Sequence, residues 1–174
     1  MSIRPLHLQQ RLRHTVPFLL GVFAVFVDLA PRPAAAGGGI GPFFTLVVVY
    51  FWCVYRPDLM SHAAVFVIGL LHDLMSGLPL GCTALAFVLG RAALIARHRF
   101  FHAKSFTVIW GLFVLLVAGV EVTRFAIASV VIGGAVDPTP LVVQSILTVA
   151  LYPAVSWALV RVHGHVVVGG DAEP

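Results

Sequence analysis

Apolar positions run in long unbroken blocks along this chain, and the polar and glycine-proline segments between them are short. A membrane-spanning helix needs roughly 20 mostly apolar residues, so the blocks predict helices that cross a bilayer. The spacing places spans at about 15–30, 41–55, 59–76, 78–96, 106–133 and 139–162. The second is short unless Gly38 to Ile40 join it. Residues 163–174 read as a flexible C-terminal tail, and 1–174 as a single transmembrane domain. The first block follows Arg4, Arg11 and Arg13 and precedes Ala34, Ala35 and Ala36, which is the outline of a secretory signal peptide. Asp28 and the pair Pro31 and Pro33 lengthen the distance to the alanines, so an uncleaved first helix is the expectation.

Orientation follows from the cations between the blocks, because Lys and Arg of short loops stay on the cytoplasmic side. With the N-terminus inside, one face collects Arg4, Arg11, Arg13, Arg56, Arg97, Arg99, Lys104 and Arg161, and the other only Arg32. Six spans with both termini cytoplasmic are expected. Composition agrees: 60% of residues are hydrophobic, 10% are charged and the mean hydropathy is +1.01, against about 25% charged in a soluble domain. The net charge of +4 suggests nucleic acid only until it is placed; the cations sit mostly at the ends of apolar runs, so no nucleic-acid partner is expected. Cys53 and Cys82 lie within such runs, without metal-ligand spacing, and read as buried apolar residues.

Four ionisable residues fall inside spans, where exposure to lipid is costly: Asp73, Arg91, Glu121 and Arg124. Arg91 and Glu121 lie at similar depth, Arg124 could reach Asp73, and Glu121 and Arg124 are neighbours three apart on one helix face. These pairings stay open, and a charge swap between Arg91 and Glu121 is expected to reveal a pair. The densest local signal is Gly69-Leu70-Leu71-His72-Asp73-Leu74-Met75-Ser76-Gly77-Leu78-Pro79-Leu80-Gly81. Gly77 is suited to end one helix and Pro79 to begin the next, which makes a tight hairpin. Gly69 and Gly81 would let backbones approach. Asp73 lies in the last turn of its helix, where the dipole disfavours an anion, so a cation, backbone N–H groups or a partner should compensate it. The histidines sit mostly beside arginines at span ends, and the His163 and His165 pair has no third ligand, so no metal site is expected. No catalytic motif or cofactor-binding loop is present, and no enzyme activity, catalytic residue or cofactor is expected.

Arg56-Pro57-Asp58-Leu59, Phe66, the run from Gly69 to Gly81, and Tyr152-Pro153 together resemble the rod shape-determining MreD family. The resemblance implies a non-enzymatic scaffold in the bacterial cytoplasmic (inner) membrane. It implies action with a single-span MreC-like partner and, indirectly, with MreB, RodA and a penicillin-binding transpeptidase, to place lateral peptidoglycan. It marks Arg56, Pro57, Asp58, Asp73, Gly77, Pro79 and Gly81 as partner-binding or structural positions, beside the buried ionic Arg91, Glu121 and Arg124. The implied fold is an all-α polytopic bundle similar to the substrate-binding subunits of energy-coupling-factor transporters. That likeness supplies the alternative, a transporter subunit whose ionic residues line a ligand pocket, and membrane lipid is a partner in either case.

Overall fold

The computed structural model describes residues 6–31, 40–77, 79–96, 106–134 and 137–163, leaving aside the side chains of 6–14, 106, 132, 162 and 163. Arg4, Arg32, Arg97, Arg99, Lys104, His165 and the three alanines at 34–36 therefore lie outside the described residues, as does the tail beyond His163. The side chains of Arg11 and Arg13 lie outside the description as well. Within the described residues there are six helices and no strand: α1 (Leu6–Asp28), α2 (Phe44–Tyr55), α3 (His62–Ser76), α4 (Cys82–Ala96), α5 (Phe106–Ile132) and α6 (Thr139–His163). The described part of the chain is all-helical, as expected. Among the described residues two helices are long and apolar enough to cross a membrane by length and composition, over Thr107–Val131 and Thr139–Arg161.

Helices α2, α3 and α4 have 12, 15 and 15 residues, which is about 18–22 Å of helix against a hydrocarbon core of about 30 Å. The expected spans 59–76 and 78–96 begin earlier than the helices inside them. Leu59 and Met60 belong to a turn in which the Leu59 N–H donates to the Arg56 carbonyl, and Ser61 caps α3 by accepting from the Ala64 N–H at 3.1 Å. Residues 79–81 are also non-helical. Pro79 does not open α4; Cys82 does, after Gly81 takes φ 95°. The reversal needs these residues, and glycine enters the left-handed region at little cost. Gly77, at φ 70°, ends α3 as expected. Gly69 is where the backbones meet, since a Cβ there would stand 2.5 Å from the Ala84 Cα, whereas one at Gly81 would meet nothing within 4 Å.

Helix α2 is the centre of the bundle. Every residue from Thr45 to Val54 is buried, as befits a helix apolar all round. Around it α1 packs on α2 and α3, α3 on α4, α4 on α5 and α5 on α6, while α2 also meets α4 and α6. Tyr50 ties α2 to α5 by donating to the Ile109 carbonyl at 2.7 Å, and its ring packs against Phe113 and Tyr152. Helix α6 is the least covered of the two long helices, with 17% of its apolar window buried. Pro153 within α6 has no N–H for the carbonyl four residues earlier. That carbonyl, on Val149, instead accepts from the Trp110 indole N–H at 3.3 Å, so the break in α6 becomes a link to α5. At the other end of α6, Asp137 accepts from the Thr139 N–H at 2.9 Å, which holds its carboxyl below the usual range.

Candidate functional site

Polar groups gather at two levels of the bundle. The first is the end where α1 and α3 finish and α2 and α4 begin. Helices α2 and α4 start inside the protein rather than at its surface, with Phe43, Thr45, Cys82, Thr83 and Ala84 all fully buried. The first N–H groups of a helix have no partner in their own helix, and in a dry interior they must find one. Asp73, at the end of α3, provides it for α4. Its carboxylate accepts from the backbone N–H groups of Gly81 at 3.0 Å, Thr83 at 2.9 Å and Ala84 at 3.3 Å. Asp28, at the end of α1, does the same for α2, accepting from Phe44 at 2.7 Å and Thr45 at 3.0 Å. Each anion is misplaced on its own helix and well placed on the next, because helix N-termini attract negative charge. Of the compensators open to Asp73 in the sequence, backbone N–H groups are the ones used.

Phe43 sits at the hub. Its N–H donates to Thr148 of α6 at 2.8 Å, and its ring lies 4.9 Å from the His72 ring and 4.7 Å from the guanidinium of Arg124. Arg124 donates to Glu121 at 3.0 Å and to Gln144 of α6 at 3.5 Å, both from Nη1. The Arg124 carbonyl accepts from the Cys82 thiol at 3.4 Å. Asp28, Phe43, Asp73, Cys82, Arg124 and Thr148 thus join all six helices in one polar belt. The buried Glu121–Arg124 pair is local to α5, three residues apart.

Arg91 belongs to the second level, so the expected pairing with Glu121 does not occur. Its Nε donates to the Met60 carbonyl at 2.7 Å and Nη2 to the Pro57 carbonyl at 3.2 Å, with His62 Nδ1 beside Nη1. A single buried guanidinium from α4 therefore clamps the turn between α2 and α3. Five donors in a planar fork suit several carbonyls at once. Arg56 and Asp58, on that turn, face outward and meet at 3.5 Å with side chains 32% and 61% exposed. Such a surface pair adds little to stability.

Among the described residues no group of His, Cys, Asp and Glu could hold a metal. Sequence reasoning found Asp73, Arg91, Glu121 and Arg124 through their cost in a membrane, but missed Phe43, Gln144, Thr148 and the capping role of Asp28. One signal was available for Asp28: Asp28-Leu29 closes α1 just as Asp73-Leu74 nears the close of α3. The belt locks helices together through the carboxylates of Asp28 and Asp73, while Thr45 Oγ1, His72 Nδ1, Thr83 Oγ1 and Arg124 Nε are buried in it without a hydrogen-bond partner. Neither the curated proteins nor the solved structures give a match. The family model for rod shape-determining protein MreD matches residues 9–162. That match spans most of the chain, and with the apolar helices it makes this membrane protein a member of the MreD family, a family of rod-shape determinants not known as enzymes.

Proposed function

We propose that the chain is one transmembrane unit of six spans in the bacterial inner membrane, with both termini cytoplasmic, that holds an MreC-like single-span partner in the cell-elongation complex. Through that partner it acts with MreB, RodA and a penicillin-binding transpeptidase on the placement of lateral peptidoglycan. The observation that carries this reading is the outer face of α6, where Ala150, Ala154 and Ala158 recur every four residues and all are exposed. Small residues at this spacing let a second membrane helix approach closely, and van der Waals fit then drives association. The remaining surface of α6 around the row is apolar, with Ile146 63% and Trp157 60% exposed. The polar belt and the Trp110 link to α6 fix the helix that presents it. Asp73, Gly77, Pro79 and Gly81 form the hairpin end of that frame, and Arg56, Pro57 and Asp58 the turn that Arg91 clamps.

A transporter subunit would place its buried ionic groups around an open polar pocket. Here Asp73, Arg91 and Glu121 bond within the chain, and none of the four buried ionic residues lines the groove between α4 and α5, which favours the scaffold. The test is copurification in gentle detergent from rod-shaped cells, comparing Ala154→Leu and Ala158→Leu with the parent. Loss of the single-span partner at normal membrane abundance is expected. Partner recovery equal to the parent in both variants would refute α6 as the docking face.

A further inference from the structure

Helix α3 is short, and it carries an exposed apolar face of Phe66, Val67, Leu74 and Met75. Its 15 residues rise about 22 Å. At one end Ser61 caps it, beside the exposed Tyr55 and the surface pair of Arg56 and Asp58. At the other end Ser76, Gly77 and Leu80 are exposed on the turn toward α4. Irregular backbone open to lipid does not occur within hydrocarbon, so these two turns mark the two faces of the membrane beside α3. We propose that the bilayer is drawn in along α3 to about 22 Å, roughly 8 Å less than its ordinary core, and that this flank is solvated by phospholipids with short acyl chains. The proposal rests on α3 being a full span in the six-span reading above, and is independent of the partner on α6.

The other ways of relieving such a mismatch are closed to α3. Tilt lowers the height that a helix spans, so tilting α3 would deepen the mismatch. The helix is stopped at both ends, by the turn at Leu59 and by Gly77 at φ 70°. Long polar side chains can reach up to a distant headgroup, but the outer turn from Ser76 to Gly81 carries none. Enclosure in protein is how α2 manages, since Phe43 and every residue from Thr45 to Val54 are buried. The exposed face of α3 has no such cover within the chain.

The flank along α5 makes a different demand. Its exposed apolar side chains run from Val108 to Val131, about 35 Å of helix. A tilt of about 30° fits that length to an ordinary core of about 30 Å. One bundle thus meets lipid at two heights, and at α3 it is the bilayer that must adjust.

The experiment attaches a fluorophore to the full chain at Phe66→Cys on α3 or at Leu115→Cys on α5, both exposed positions. Cys53 and Cys82 are buried, so the label goes to the new thiol. Each labelled protein is reconstituted in dioleoyl phosphatidylcholine, with brominated dimyristoleoyl or dierucoyl phosphatidylcholine as the quencher. At position 66 the short-chain lipid should displace dioleoyl phosphatidylcholine about threefold better than the long-chain lipid does, since every Å of mismatch adds to the cost. Position 115 should show no such preference. Equal exchange of the two lipids at position 66 overturns the proposal, as does a short-chain preference of the same size at both positions. Quenching of position 66 by neither lipid also overturns it, because a second copy or another protein would then cover α3. In cells, Ser76→Cys should react with a membrane-impermeant reagent from outside, and its protection while Asp137→Cys reacts would place the turn in hydrocarbon and refute the thinning. Protection of Asp137→Cys would instead overturn the topology, so the two failures are distinguishable.

Discussion

Replacing Asp73 tests whether the belt is structural. The side chain is fully buried and accepts three backbone N–H groups at the start of α4, two of them, on Thr83 and Ala84, themselves fully buried. Asp73→Ala leaves those two donors without a partner. Each buried donor left unmade costs roughly 1–3 kcal/mol, which predicts a loss of roughly 2–6 kcal/mol. Asp73→Asn keeps one acceptor oxygen but points an amide N–H at other N–H groups and removes the charge that the helix N-terminus favours. It should cost about 1–3 kcal/mol. In a chain of this length 1 kcal/mol moves the midpoint by about 2–4 °C, so thermal unfolding in detergent should place the parent highest, Asn next and Ala lowest. An Ala variant that melts within about 1 °C of the parent would refute the capping role. Normal melting of the Asn variant with loss of the copurifying partner would move Asp73 from the frame to the docking surface.

Removing one member of the Glu121–Arg124 pair should be worse than removing both: Glu121→Leu leaves a buried guanidinium uncompensated at roughly 3–5 kcal/mol, while Glu121→Leu with Arg124→Leu should recover most of it, read as membrane abundance and melting temperature. Exchanging Arg91 with Glu121 should fail to rescue either single swap, because Arg91 bonds to the Met60 and Pro57 carbonyls and Glu121 to Arg124; recovery of abundance in the double swap would contradict this. Trp110→Phe strips the Val149 carbonyl of its indole donor and should cost about 1 kcal/mol, and Pro153→Ala in the same background, by restoring an N–H four residues on, should return most of it. In a cysteine-free variant, Asp137→Cys should react with a membrane-impermeant reagent from outside, and protection there would refute the six-span topology.

The long helices were legible because their evidence is local. Helix α5 was expected over 106–133 and is Phe106–Ile132; α6 was expected over 139–162 and is Thr139–His163. Apolar length alone sets such elements. The short helices were blurred for a physical reason: in a membrane an apolar run continues through a turn whenever the turn is buried in protein. Phe43 and Gly81 therefore read as span when their backbones are not helical. Which buried charge meets which partner was not legible at all. Depth along a helix says how far a side chain lies from the surface, but pairing also depends on rotation about the axis, and the sequence leaves that to packing.

The same packing explains why an aspartate stands at the end of both α1 and α3. A helix that starts beneath the surface needs acceptors for its first N–H groups. No residue of α2 or α4 ahead of those groups provides a side-chain carboxylate, since Ile40-Gly41-Pro42-Phe43 and Leu78-Pro79-Leu80-Gly81 carry none. The acceptor must come from a helix ending at the same level, and the preceding helix of each hairpin is the nearest one. Asp28 reaches across sixteen residues of chain to Phe44 and Asp73 across ten to Thr83, yet the geometry solved is the same. A sequence search for the device would look for an acidic residue in the last turn of one apolar run, followed by a glycine-proline segment and a second run that lacks its own cap. Both hairpins meet that description, and in each the aspartate that looks misplaced on its own helix is the cap of the next.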